Sequence, residues 1–291
     1  MNSKKGGTMV HRCVVGIFMC AGIVLGTSES ISHAASGPQV VTVTGTGSSI
    51  GTMKVMADAL SKKHPAIRVE VLPSIGSTGA IKAVNADKID VGLSSRALRL
   101  EERDRDVEAV PYGRTPVVFG THPKTPINDI TLEEVEQIYR GQKLTWPDKT
   151  PVRLVLRPKS DAYTEFLARI SDRMRVATEI SYTIPGLFTG ITDQDAANQI
   201  ERAEGSFTVT SLSLLLSEDR RIKRLTLSKV APTVKNLESG KYPFAMTMYL
   251  VYRHNSRNSA VRTFVDFLFS REGQQILRET GHELLKKPVN K

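Results

Sequence analysis

Three stretches of this chain place glycine and hydroxyl side chains where a strand gives way to a helix. Thr44-Gly-Thr-Gly-Ser-Ser49 follows the β-branched run Val40, Val41 and Val43, after which Met53, Val55, Met56, Ala59 and Leu60 recur at helical spacing. Ser74-Ile-Gly-Ser-Thr-Gly79 follows the alternating Ile67, Val69 and Val71 and precedes Ala80, Ile81, Ala83 and Val84. Ser94-Ser95-Arg96 closes the run Ile89-Asp-Val-Gly-Leu93. Turns of this kind leave backbone N–H groups and the positive end of a helix dipole facing outward, a setting that binds anions. A further strand, with Val152, Leu154 and Leu156 alternating, delivers Arg157 into Pro158-Lys159-Ser160-Asp161, which adds a guanidinium able to make charged hydrogen bonds.

The same residues admit plainer readings. Ser48, Ser49 and Ser77 are ordinary helix-capping types. Ser94 and Ser95 suit any strand end. Arg157 reads equally as one half of a surface ion pair, and Arg96 as a residue facing solvent. A rival chemistry is also written in the first turn, because Gly47-Ser-Ser-Ile-Gly51 satisfies the G-x-S-x-G pattern of a serine-hydrolase nucleophile centred on Ser49. Its histidine would have to come from His64, His122, His254 or His282, none of which has a local signature; His64 and His282 are read as surface positions.

The elements that must position these residues alternate between strand and helix, which defines an α/β class. Thr131 with Glu134 forms a capping box ahead of Val135, Ile138 and Tyr139, and Gly141 ends that helix. A helix is predicted from about Ala162 to Ile170, a weak one over 195–203, a strand over 205–210, and closing helices over 261–268 and 274–285. Apolar segments near 110–119 and 243–252 are read as two crossings between lobes. The expected division is a first lobe over 35–115 completed by 246–291, and a second over 116–245.

The first 34 residues read as an export signal: Lys4, Lys5 and Arg12, an apolar run from Cys13 to Leu25, then Ser32-His-Ala34 before Ala35. That run falls short of the roughly 20 residues of a spanning helix. Cleavage near Ala34 would leave about 257 residues without cysteine, in the periplasm or outside the cell, and would lower the net charge from +10 to +8. The basic residues are interleaved with acids, as in Glu101-Glu-Arg-Asp-Arg-Asp106, and no aromatic residues alternate with a basic cluster, which argues against nucleic acid. Histidines and acids show no metal-ligand spacing, and no cofactor is implied.

Taken together, TGTGSS at Thr44–Ser49, GSTGAIKAV at Gly76–Val84, IDVGLSSRAL at Ile89–Leu98, ITLEEVEQIYRGQKLTW at Ile130–Trp146, APTVKNLESGKYPFAMTMYLVY at Ala231–Tyr252 and FVDFLFSREGQQIL at Phe264–Leu277 resemble, in order, the phosphate-type substrate-binding proteins of ABC transporters. The resemblance implies a two-lobe type II periplasmic-binding fold, each lobe a mixed sheet flanked by helices and joined by a two-segment hinge. It also implies a non-enzymatic, monomeric protein that closes over a small oxyanion, phosphate by default, and presents it to a membrane permease. A sensor or adaptor of the same fold is the alternative use. Carried over by position, Ser48, Ser49 and the Ile50 N–H would bind from the first helix, Ser77 from the second, Ser95 where many phosphate binders have an aspartate, Arg157 as the charged donor, and Ser160 from the loop after it. Lys159-Ser-Asp-Ala162 replaces the family's Gly-Ser-Gly-Thr, with Asp161 expected to cap the following helix.

Overall fold

In the computed structural model, which describes residues 39–285, the valine run forms strand β1 (Gln39–Gly45), with Val41 and Val43 fully buried. Helix α1 (Gly47–Lys63) begins after one intervening residue, Thr46. The glycine and hydroxyl stretch is therefore not an open turn: Thr44 and Gly45 finish the strand, and Gly47, Ser48 and Ser49 are the first helical turn. Met53, Met56, Ala57 and Leu60 are the buried stripe of α1, whereas Val55, assigned to that stripe from the sequence, is exposed. Burying each large apolar side chain contributes about 1.5–3 kcal/mol, so this stripe decides which way α1 faces.

Strand β2 (Ile67–Val71), helix α2 (Gly76–Asn85) and strand β3 (Val91–Ser94) follow. β1 runs parallel to both strands, with Val41 opposite Val69 and Thr44 opposite Gly92. Next comes β4 (Val107–Thr121), longer than the predicted crossing and unbroken by its two prolines. Beyond it lie β5 (Asp129–Ile130), α3 (Leu132–Tyr139), β6 (Arg153–Leu156), α4 (Ala162–Ile170), α5 (Asp172–Ser181), β7 (Phe188–Thr189), α6 (Asp193–Arg202), β8 (Ser206–Ser211) and α7 (Leu212–Ser217). The chain closes with β9 (Lys223–Arg224), β10 (Thr226–Leu227), α8 (Val234–Glu238), β11 (Ala245–Arg253), α9 (Ser259–Leu268), α10 (Arg271–Glu279) and β12 (Glu283–Leu284).

The main sheet has the order β2-β1-β3-β11-β4-β8-β6-β7, and β4 also pairs with β12 and β9. β4 is its spine. Residues 107–116 pair with β11, and residues 117–121 pair with β8. Its prolines sit where the ladder is already irregular. Pro111 faces Tyr249 at the register slip between Met248 and Tyr249, and Pro116 is the last partner of β11 before β8 takes over at Val117. Proline supplies no N–H, so such places are where a strand tolerates it. Past the changeover, Val117 and Phe119 enter one core and Val118 another, with Val155, Ile200 and Leu215. That alternation has the two-residue period of a strand.

Two sequence expectations fail at the C-terminal end. The last helix stops at Glu279 rather than continuing to 285, because Gly281, at φ +82°, turns the chain into β12. β12 pairs with β4 through Glu283 and Arg114, which carries His282 into the interior with no exposed surface. The predicted export signal over 1–34 lies outside the described residues. Among the described residues no helix is long and apolar enough to cross a membrane.

Candidate anion-binding site

The site begins where β1 meets β3. Thr46 N donates to Leu93 O at 2.9 Å, and a side chain on Gly45 would collide with Leu93, so only glycine lets the strand end approach this closely. Thr46 is the N-cap of α1 but does not cap it with its own side chain. The acceptor comes instead from α6: Asp193 Oδ2 accepts from Ser48 N at 3.0 Å and lies 3.5 Å from Thr46 Oγ1. Asp193 is also the first residue of α6, whose N-cap Thr192 forms a capping box with Asp195. One carboxylate thus lies at two positive helix ends.

Arg157 follows β6 and is buried beside that carboxylate. Its guanidinium donates to Gly190 O at 2.9 Å, to Thr192 O, and to Asp161 Oδ2 at 2.9 Å, and lies 3.5 Å from Asp193 Oδ1. Asp161 does cap α4, its Oδ1 accepting from Tyr163 N at 2.9 Å, so one side chain fills both roles. Tyr182 OH fixes the Arg157 backbone by donating to its carbonyl at 2.6 Å. Burial works against the charged guanidinium, but Asp193 and Asp161 outweigh it and keep Arg157 protonated throughout the accessible pH range. Burial pushes the Asp193 carboxyl above the usual range, opposed by the charge of Arg157 and the Ser48 N–H.

The opposite wall is made by α2 and the end of β3. The N-cap residue of α2, Ile75, supplies no side-chain cap, and only a long bond from Gly76 N to Ser74 Oγ, 3.4 Å, meets the helix start, where Gly76 has φ +71°. Ser77 Oγ lies 3.2 Å from Ser95 Oγ and accepts from Ser95 N at 3.1 Å. Arg96 does not face solvent: it makes a forked pair with Glu102, 2.6 Å on each arm, and donates to Thr78 Oγ1 at 2.9 Å. Between the walls is a cavity of about 170 Å³ lined by Thr46, Ser77, Ser95, Arg157, Ser160 and Asp193, among others. That is smaller than the roughly 300 Å³ at which drug-sized sites begin, so the space suits a small ion.

Of the residues singled out in the sequence, Ser77, Ser95, Arg157 and Ser160 come together around this cavity. Ser48, Ser49 and Ile50 do not line it. Ser48 Oγ is 2.7 Å from Tyr163 OH, Ser49 Oγ is 2.8 Å from Tyr112 OH, and the Ile50 side chain joins the core. Both serine side chains are fully buried. This arrangement also removes the hydrolase reading, since the Ser49 hydroxyl is engaged by a tyrosine that burial holds protonated and not by a histidine base. The G-x-S-x-G spacing has a packing cause instead. A side chain on Gly47 would approach Gln194 Oε1 to 2.5 Å and Asp193 Oδ2 to 2.6 Å, and one on Gly51 would strike Ser217 and come within 2.8 Å of Glu218 Cγ. The two glycines, one turn apart, let α6 and the end of α7 press against α1. Among the described residues no cluster of three His, Cys, Asp or Glu side chains is placed to hold a metal ion.

Thr46 and Asp193 were missed. The Thr192–Asp195 capping box was readable and would have started α6 at Asp193 rather than 195, but nothing local announces that its first residue reaches Ser48.

Residues 32–272 match the model of the PBP superfamily domain, and the chain belongs to that superfamily, a family of binding domains rather than an enzyme class. Its fold is the two-lobe type II periplasmic-binding fold. The phosphate-binding protein PstS of Bacillus subtilis is 22% identical over 298 residues, covering 96% of this chain and 94% of its own. Its namesake from Borreliella burgdorferi is 23% identical over 222 residues, covering 71% of this chain and 76% of its own. Among solved structures, a Clostridium perfringens protein assigned as a phosphate ABC transporter substrate-binding protein, with phosphate bound, superposes with a TM-score of 0.72 at 21% identity, over 85% of this chain and 100% of that one.

Proposed function

We propose that this chain is an exported solute-binding protein that holds a small oxyanion, phosphate first among them, in the cavity between its lobes and presents it to an ABC transporter permease. The observation that carries this reading is the meeting of Thr46, Ser77, Ser95, Arg157 and Ser160, drawn from distant parts of the chain, around one small cavity at the start of α2. A dehydrated oxyanion needs several N–H and O–H donors in place of its water, and this set offers them. The relatives named as phosphate-binding proteins support phosphate as the ligand.

The change of partners along β4 at Pro116–Val117 supports lobe boundaries near 116 and 245, with the first lobe spanning 35–115 and 246–291. On this reading the chain acts in the periplasm or outside the cell and as a monomer, and the export signal expected over residues 1–34 supports that location. Calorimetric titration of folded, ligand-free protein with phosphate, sulfate, molybdate and small carboxylates tests the reading. Heat and saturation with phosphate are expected; no binding of any oxyanion overturns it.

A further inference from the structure

The donors at the start of α1 already hold an anion, and it belongs to the chain. The Asp193 carboxylate accepts from Ser48 N, lies beside Thr46 Oγ1, and faces the Arg157 guanidinium. Its seat is shaped for it. A Cβ on Gly47 would come within 2.6 Å of the carboxylate, so the first residue of α1 is one that leaves room. The neighbouring Gln194 steadies the approach, its Nε2 donating to Gly47 O at 3.1 Å and to Glu218 Oε1 at 2.6 Å. Asp193 is only 6% exposed, so its position follows from the packing of α6 on α1 and not from a surface rotamer.

We propose that Asp193 is a tethered competitor for the anion site: it takes the Ser48 N–H and faces Arg157, and so sets how tightly a free oxyanion is held. The inference rests on the oxyanion-binding reading above. Its physical basis is the high effective concentration of a group attached to the same chain, against which a free ion must compete for the same donors. Charge adds to the competition. Arg157 already faces Asp161 and Asp193, Glu218 lies close behind, and Tyr163, also a neighbour, is held neutral by burial. A multiply charged ion entering beside an ionised Asp193 would meet like charge at close range. The carboxylate therefore has to move off its seat, or the ion has to make do with the donors of α2, Ser95 and Ser160.

Calorimetric titration with inorganic phosphate of the parent chain, Asp193→Asn and Asp193→Ala tests this. Asparagine keeps an acceptor for Ser48 N and removes only the charge, so it guards against a variant that fails because the helix start is left bare. Both substitutions are expected to tighten phosphate binding at least tenfold. Parent-like or weaker binding by folded variants, with the parent binding phosphate, overturns the role of Asp193 and leaves the oxyanion reading standing. Absence of binding to the parent and both variants, all folded by circular dichroism, overturns the oxyanion reading and this inference with it.

Discussion

The carboxylate of Asp193 and the amide of Ser48 lie 3.0 Å apart although 145 residues separate them in the chain. This contact requires α6 to reach the first turn of α1, and Gly47 makes the approach possible. Gly47→Ala is expected to lower stability by about 1–3 kcal/mol, the usual penalty for forcing an extra carbon into a packed contact. Urea denaturation reads the effect directly. An unchanged midpoint would mean that the two helices do not meet as described.

Arg157 is the charge on which two acids and two carbonyls depend. Removing one member of a buried ion network leaves the others uncompensated, so Arg157→Ala is expected to lower stability by about 3–5 kcal/mol. Arg157→Lys keeps the charge but not the fork and should fall between alanine and the parent. Equal denaturation midpoints for all three proteins would remove Arg157 from the centre of the network.

His282 gives the protein an acid-sensitive element. Burial is the main cause that pushes its imidazole down from 6.5 to about 4, outweighing hydrogen bonds to the 277 and 280 backbone. The folded state holds the neutral ring while the unfolded chain binds a proton more readily, so stability is full above about pH 6.5 and is lost as pH falls toward 4. The difference of about 2.5 pH units corresponds to roughly 3 kcal/mol. Denaturation between pH 7 and 4 should show this slope in the parent and a flatter one in His282→Asn. Identical slopes would contradict it.

Ser49 should be inert. Its hydroxyl is buried against Tyr112, so a serine-reactive phosphonate is expected to leave it unlabelled in the folded protein. Ser49→Ala strands the Tyr112 hydroxyl and should cost about 1–3 kcal/mol of stability. Stoichiometric labelling at Ser49 would restore the hydrolase reading.

Much of the local architecture could be read from the residues. The β-branched run Val40, Val41 and Val43 placed β1, the Thr131–Glu134 box fixed the start of α3, and Asp161 capped a helix over Ala162–Ile170, the span predicted. Each is a short-range signal whose cause lies within a few residues. The failures involve partners far apart in sequence. His282 is buried because β12 pairs with β4, Val55 is exposed despite its spacing, and the serines of α1 turn toward Tyr112 and Tyr163. The cavity follows the same division. Its hydroxyls and its guanidinium were visible as residue types, while the carboxylate that answers them was not, because only the packing of α6 brings it there.

β4 belongs to both parts of the sheet without a loop between them, and β11 runs alongside it up to the point where the neighbouring strand changes. On the two-lobe reading proposed above, any opening of the cavity would twist these two extended backbones near Pro116 and Phe244. Such a motion would be resisted along a ribbon rather than at a single joint, as in a torsion spring, with contacts such as Asp193 to Ser48 and Arg157 setting its rest position.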